Sequence, residues 1–302
     1  MNILVINGSP KGEYSITLQT VHYLQKKYPA HTFDILHVGQ KIKSLEKNFT
    51  PALEAIAKAD ALLFSYPVYT FIAPCQLHKF IALMKAHSAR VEGRLVTQIT
   101  TSKHFYDVTA HKYIQDNTQE MGMHFVRGLS ADMDDLTTEK GRTEAEKWFE
   151  HFLWSAENRF FEPYYPITPS ESVAVTVPEE DFAGKKGDVV IIADVSPENP
   201  QLCGMISRFR TKLPYATRVV NLREYPFNGG CLGCFRCAVS GKCVHKDGFD
   251  SFLREKIQTA DAMVYAFTIS DHSMGARFKM YDDRQFCNGH RTVTIGMSWD
   301  IS

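Results

Sequence analysis

The first half of the chain predicts an α/β fold of the doubly wound class, a parallel five-stranded sheet with helices on both faces. Two observations carry this. Short apolar stretches at 2–7, 32–37, 60–66, 94–101 and 123–128 alternate with helical spacings at 15–28, 50–58, 73–86, 106–121 and 138–158. Strictly alternating strands and helices build parallel sheets covered on both sides. The second half then repeats this grammar in shorter form, with strand patterns at 189–193 and 218–222 and helical patterns at 201–213 and 249–258. The repeat becomes textual where Lys58-Ala-Asp-Ala-Leu-Leu-Phe-Ser matches Thr259-Ala-Asp-Ala-Met-Val-Tyr-Ala, each followed by a loop and a helix carrying Lys79 or Lys279. A duplicated domain explains the match. The second copy stops after a fourth strand pattern, Thr292 to Met297, as a truncated or naturally incomplete version of the first.

Between the halves, Pro163, Pro166, Pro169 and Pro178 interrupt any helix. Glu179-Glu180-Asp181 and Gly184-Lys185-Lys186-Gly187 are polar and turn-rich. The expected organisation is therefore a first domain at 1–159, a linker at 160–187 and a partial second copy at 188–302. Within the linker, Val173 to Val177 could still pair as an edge strand.

Lysine plus arginine equals aspartate plus glutamate at 34 each, so the whole chain exerts no pull toward nucleic acid or an anionic membrane. Small molecules are the partners this balance favours. No apolar run reaches the roughly 18 residues of a membrane span, and Met1 leads directly into a strand pattern, so a cytoplasmic protein is expected. Seven cysteines are an odd number, and four of them fall between 231 and 243. That crowding suits a metal or cluster in a reducing compartment better than a disulfide framework.

The chemistry is concentrated in loops after strands, where doubly wound sheets bind their ligands. After the first strand comes Gly8-Ser9-Pro10-Lys11-Gly12-Glu13-Tyr14-Ser15-Ile16-Thr17, which opens a helix spaced at Tyr14, Leu18, Val21 and Leu24. Backbone N–H groups and a helix N-terminus there suit a phosphate, and Ser9, Ser15 and Thr17 add hydroxyls. A triphosphate loop would need Gly-Lys followed by Ser or Thr, and the dinucleotide fingerprint needs G-x-G-x-x-G; neither is present. The same residues also suit a plain turn before a helix. Asn7-Gly-Ser-Pro-Lys11 with Ser15 and Thr17 resembles the FMN phosphate loop of the NAD(P)H-dependent FMN reductases, a flavodoxin-like family. That resemblance implies FMN held by Ser9, Lys11, Ser15 and Thr17, with NAD(P)H as electron donor.

After the third strand the same family carries a Pro-x-Tyr segment against the flavin ring. The resemblance therefore implies that Pro67, Val68, Tyr69, Thr70, Phe71 and Ile72 contact the flavin; ordinary packing is the commoner fate of such residues. After the fourth strand, Thr100, Thr101 and Ser102, followed by Lys103 and His104, offer hydroxyls and cations suited to the electron-rich edge of a reduced flavin. A helix cap would use the same Thr and Ser. The second half has Asp194-Val-Ser-Pro-Glu-Asn199 in place of the phosphate loop, and its two carboxylates would repel a phosphate. Thr268-Ile-Ser-Asp271 replaces Pro-x-Tyr. One FMN per chain, in the first half, is expected.

The second half carries instead Cys231, Cys234, Cys237 and Cys243 in a C-x2-C-x2-C-x5-C run. Thiolates at this pitch can wrap one cubane, whereas tetrahedral zinc usually draws on two separated pairs. The run resembles the compact cysteine motif of the iron–sulfur flavoproteins, in which it holds a [4Fe–4S] cluster, and Lys246-Asp247 resembles the Lys-Asp-Asp of that family. Gly248 departs from it, and a reduced or zinc-bound loop remains open. Cys75 and Cys203 sit in helical patterns as small buried groups, Cys287 and His290 at a helix end, and the twelve histidines lack ligand spacing.

Together these features read as a flavin-dependent oxidoreductase passing electrons from NAD(P)H to a small-molecule or protein electron acceptor, with the flavin covered by a homo-oligomer or by an internal pseudo-dimer. In the latter, residues near 225–247 would approach the Tyr69 loop. An FMN-binding electron carrier and a non-enzymatic redox or metal sensor built on the cysteines are the alternatives.

Overall fold

The computed structural model describes residues 1–104, 107–166 and 184–288, whose contacts separate into two units. The strand pattern at Thr292–Met297, the edge strand at Val173–Val177, His290 and the start of the helix predicted from 106 lie outside the described residues. The first unit takes the described residues of 1–166 together with 271–276, and the second takes 184–270 with 277–288.

In the first unit the order is β1 (Asn2–Asn7), α1 (Ile16–Lys27), β2 (Thr32–Leu36), α2 (Val38–Lys47), α3 (Thr50–Lys58), β3 (Ala61–Pro67), α4 (Cys75–Ala86), β4 (Leu95–Thr101), α5 (Val108–Glu120), β5 (His124–Phe125), β6 (Leu129–Ala131) and α6 (Glu139–Asn158). The strands run β2-β1-β3-β4-β5, all parallel, the order of a flavodoxin-like doubly wound sheet. Alternation along β1 explains both cores. Ile3 and Val5 pack with Leu18 and Val21 of α1 and with Phe149 and Phe152 of α6. Leu4 and Ile6 join Val38, Ile56, Phe80 and Ile114 from the helices of the opposite face. Side chains on a strand point alternately to the two faces, so a sheet covered on both sides makes every residue of the run apolar.

Two features differ from the sequence reading. Helix α2 was not expected: Gly39 near its start weakens its propensity, and only Val38, Ile42 and Leu45 mark an apolar stripe. The predicted strand at 123–128 is split. β5 pairs with β4 through Leu95↔His124, whereas β6 pairs through Ile99↔Leu129, which leaves one extra residue between the two registers. The extra residue lies at the Arg127-Gly128 step. There the chain crosses so close to β4 that a Cβ on Gly128 would fall 2.3 Å from Gln98 Cγ and 2.7 Å from the Gln98 carbonyl oxygen. A bulge of this kind re-aims the strand end and needs glycine where backbones crowd.

The second unit contains β7 (Lys186–Ala193), α7 (Pro200–Lys212), β8 (Tyr215–Asn221), α8 (Arg236–Ser240), α9 (Phe249–Phe252), β9 (Ala262–Ala266) and α10 (Gly275–Arg284). Its three parallel strands run β8-β7-β9, the arrangement of β2-β1-β3 in the first unit. The helix predicted at 249–258 is broken into α9 and a π-helical turn at Leu253–Ile257. No helix among the described residues is long and apolar enough to cross a membrane.

Replacing Gly128 with Ala should lower stability by about 1–3 kcal/mol, the usual cost of overpacking. Urea unfolding of the two proteins measures it, and an unchanged midpoint would mean that Gln98 moves aside freely.

Candidate functional site

The loop after β1 is held open by one amide. Asn7 is buried at the end of the strand; its Nδ2 donates to the Gly12 carbonyl at 2.9 Å and reaches His37 Nδ1 at 3.0 Å, and its Oδ1 accepts from the Ser9 N–H at 3.1 Å. His37 in turn meets Glu13 through Nε2 at 2.7 Å. From the other side α2 presses on the loop. A Cβ on Gly39 would lie 2.3 Å from the Gly8 carbonyl oxygen and 2.5 Å from backbone atoms of Ser9, so only glycine allows this approach. Most N–H groups of the loop are already used: Gly8 on Ser65 of β3, and within the loop Lys11 on Ser9 Oγ, Gly12 on Ser9 and Ser15 on Gly12.

What remains unspent lies at the start of α1. Ser15 occupies the N-cap position yet makes no capping bond, and its Oγ is buried without a partner. Thr17 Oγ1, one residue into the helix, is buried and without a partner as well. A buried hydroxyl left unmatched costs about 1–3 kcal/mol, so two of them at a helix N-terminus ask for an acceptor from outside. The positive end of the helix dipole makes an anion the fitting one. These residues fit the phosphate of FMN. Ser9, fully buried, shapes the turn through its own Oγ, and Lys11 sits exposed at the loop's outer edge.

The second flank is the turn after β3. Tyr69 and Ile72 exchange backbone bonds, Tyr69 N–H to Ile72 O at 2.9 Å and the reverse at 3.2 Å. Between them Thr70 and Phe71 have φ of 47° and 65°. Two consecutive left-handed residues define the mirror-image hairpin turn that normally takes Asn-Gly, and non-glycine residues there cost about 1–2 kcal/mol each. Strain of this sort collects at ligand sites. Its effect is to hold the Phe71 ring 58% exposed at the turn's tip, above half-buried Pro67, Val68 and Tyr69 and buried Ile72.

The third flank, after β4, is only partly as the sequence implied. Thr100 is spoken for: its hydroxyl donates to Asp107 Oδ2 at 2.7 Å and lies 2.8 Å from His111 Nε2. Thr101 gives its carbonyl to the Val68 N–H, which ties this loop to the turn after β3, and Ser102 Oγ is buried without a partner. Lys103 pairs with Asp132 at 3.1 Å and His104 with Asp135 at 3.2 Å, so carboxylates answer both cations expected at this edge. Burial alone would raise Asp107, but hydrogen bonds from His111 and Thr100 prevail and hold its carboxyl well below the usual carboxylate range. Lys79, on α4, pairs with Glu46 at the surface.

In the second unit the corresponding helix start is closed. Asn199 caps α7 by accepting from the Leu202 N–H at 3.1 Å and donates to Thr268, and Asp194 is held by Arg223 at 2.8 Å. Among the described residues there, no orphaned hydroxyl waits for an anion. Cys231, Cys234, Cys237 and Cys243 line one pocket, joined by Cys287 from the end of α10. Arg284 points into it, with Nη2 3.4 Å from Cys243 Sγ and 2.7 Å from Asp247 Oδ1, and its guanidinium lies 4.3 Å from the Phe249 ring centre. Gly248, where the resemblance called for a second Asp, has φ of 76° and so favours glycine. Burial pushes the Cys231 thiol up to about 11 and that of Cys287 up to about 12. The donor chemistry is that of a soft metal site. Yet among the described residues no three His, Cys, Asp or Glu side chains form a group that could hold a metal ion.

Sequence reasoning named the three flanks but missed Asn7, Gly39 and His37, which hold the first in place, and the Asp107–His111 pair behind the third. Asn7 stood in the quoted motif; the others sit on or just before helices whose approach no local pattern reveals.

Residues 1–134 match the family model described as NADPH-dependent FMN reductase. No curated protein matches the chain. Among solved structures, one similar chain is an NADH:FMN oxidoreductase in its apo form, 20% identical, with 51% of this chain and 89% of that one covered and a TM-score of 0.44. Another is general stress protein 14 from Treponema denticola in complex with FMN, 9% identical, covering 51% and 98%, TM-score 0.39. A third is an NAD(P)H:quinone oxidoreductase from Methanothermobacter marburgensis, 11% identical, covering 55% and 99%, TM-score 0.39.

Ser15→Ala and Thr17→Ala should each weaken FMN binding by about 1.5–3 kcal/mol, roughly ten- to more than a hundredfold. Fluorescence titration of the apoprotein with FMN reads this, and equal affinities in wild type and double variant would remove the phosphate from α1.

Proposed function

We propose, from the premise that residues 1–134 make this chain an NAD(P)H-dependent FMN reductase-like oxidoreductase, that FMN binds along the carboxyl edge of the first sheet and carries electrons from NAD(P)H to an acceptor. The observation that carries the reading is the pair of buried, unpartnered hydroxyls of Ser15 and Thr17 at an uncapped helix start. Bound FMN supplies the two-electron chemistry, taking hydride from the nicotinamide.

The chain's own residues then bind and orient. Ser15 and Thr17 donate to the phosphate, with Ser9 shaping the loop around it and Lys11 adding charge from outside. The strained turn at Thr70 and Phe71 presents an apolar face to the ring, with Pro67, Val68, Tyr69 and Ile72 beneath. Thr101 and Ser102 line the far edge, and the free Ser102 hydroxyl is the group there with a hydrogen bond to give. Thr100 acts behind them through Asp107. No side chain is required as general acid or base for the hydride step itself.

The cysteine pocket is the second part of the reading. Cys231, Cys234, Cys237 and Cys243 would serve as thiolates to a [4Fe–4S] cluster that accepts electrons singly. Loading requires the thiols to converge and to lose protons, since burial keeps Cys231 protonated at neutral pH without metal. The backbone N–H of Gly233 at 3.4 Å from Cys231 Sγ and the guanidinium at Cys243 are the donors that would soften that charge.

Steady-state oxidation of NADH and NADPH by the FMN-loaded protein, with a quinone or free flavin as acceptor, tests the first part. Turnover is expected; FMN binding without turnover would leave an electron carrier. Iron and sulfide analysis after anaerobic, iron-supplied production tests the second. About four iron atoms per chain are expected, and zinc or no metal would end the cluster assignment.

A further inference from the structure

The cysteine pocket holds a fifth thiol that the four-cysteine run does not account for. Cys287 follows α10, three residues after Arg284, and lines the same cavity as Cys231, Cys234, Cys237 and Cys243. All five are free thiols. The cavity measures about 20 Å³, room for roughly one water. Among the described residues no three side chains meet as a metal ion requires, whereas a disulfide requires only two sulfurs.

The side chains on either side of Cys287 decide which thiol it faces. Before it, Arg284 donates from Nη2 toward Cys243 Sγ at 3.4 Å and to Asp247 Oδ1 at 2.7 Å. After it, Asn288 Nδ2 donates to the Asp250 carbonyl at 3.3 Å. The chain at Cys287 is thus tied, on both sides, to the stretch 243–250. Among the other sulfurs of the pocket, Cys243 acts most strongly on Cys287 electrostatically, ahead of Cys237. Cys287 is only 4% exposed and Cys243 is half-buried, so Cys243 is the one of the two that a solute meets. A partly exposed sulfur beside a guanidinium, with a second thiol behind it, is the arrangement of a redox-sensing pair.

We infer that Cys243 and Cys287 form a reversible disulfide, a switch that withdraws one cysteine from the run and fastens the end of α10 to it. A peroxide is the oxidant. The Cys243 sulfur attacks one peroxide oxygen and the O–O bond breaks; with hydrogen peroxide the leaving oxygen takes the thiol proton and departs as water, and Cys243 becomes a sulfenic acid. The Cys287 sulfur then displaces the hydroxyl, which leaves with the Cys287 proton as a second water. Two thiols have lost two electrons and the peroxide has gained them. A dithiol returns two electrons and two protons and restores both thiols. In the reduced state all four cysteines of the run are available to a metal; in the oxidised state Cys243 is taken. The inference does not depend on flavin binding in the first unit.

The test is peptide mapping by mass spectrometry of the full chain, freed of metal, titrated with hydrogen peroxide and alkylated before digestion. A cross-linked pair of peptides carrying Cys243 and Cys287 is expected, and dithiothreitol should abolish it. Cys287→Ser should lose the cross-link and leave Cys243 as a sulfenic acid that dimedone labels. Cys203→Ser, which removes an exposed thiol of α7 outside the pocket, should leave the cross-link unchanged. Pairing of Cys243 with Cys231, Cys234 or Cys237, or a Cys287 that stays reduced while the other thiols oxidise, would overturn the inference. The wild-type map assigns the pair directly, so the outcome stands even where Cys287→Ser fails to fold. Neither FMN retention nor iron content enters this readout, and a negative result therefore leaves the flavin and cluster readings to their own experiments.

Discussion

Everything in the first unit that concerns a ligand depends on how Asn7 spends its amide. A parallel strand ends with backbone groups that must be satisfied, and a loop of eight residues leading to a helix could collapse onto them. Asn7 prevents this by taking the Ser9 N–H, giving to the Gly12 carbonyl and touching His37, all in the buried interior. The loop becomes self-contained, and the start of α1 is left uncapped. Had Ser15 capped its own helix, the fold would gain about 1 kcal/mol and lose its anion site. The unsatisfied state of two hydroxyls is thus a property the rest of the loop is arranged to preserve.

The second unit shows the same strand–loop–helix grammar resolved the other way. Asn199 closes α7, Thr268 ties the cap to the neighbouring strand end, and Arg223 neutralises Asp194. Where the first unit leaves unmatched hydroxyls at its helix start, the second satisfies its own. Its unusual groups lie instead near α10, where Lys279 is fully buried between Asp282 and Asp283 and Arg284 is buried against Asp247. Buried ion pairs are weak contributors to net stability, but losing one partner is costly. The end of α10, and with it Cys287, is therefore held in a single arrangement.

Much of this was legible from residues alone. The strands were visible because parallel strands buried on both faces are continuous apolar runs. The first loop was legible because its position after β1 gives Gly, Ser and Thr a meaning that the residues lack elsewhere. What escaped has a common physical character: it depends on approach between distant segments. Gly39 reads as a helix weakener until α2 is seen resting on Gly8 and Ser9. Thr100 has the same hydroxyl as Thr101, and only the position of α5 commits it to Asp107. Lys103 and His104 look like free cations until the segment after β6 brings Asp132 and Asp135 to them. Cys287, more than forty residues past the cysteine run, joins that pocket only through the course of α10.

The left-handed pair at Thr70 and Phe71 has a counterpart. Asp271 and His272, which stand in the same relation to them as Thr259 does to Lys58, have φ of 51° and 58°. The two dipeptides share no side-chain chemistry, and neither contains the glycine that would relieve the backbone. Asn-Gly would relax such a turn in either place. Both turns keep this backbone with unrelated residues, so the path of the main chain between strand and helix does not depend on the side chains that travel it. Each turn carries that conformation at a cost of a few kcal/mol in a molecule whose whole margin is only about 5–15 kcal/mol.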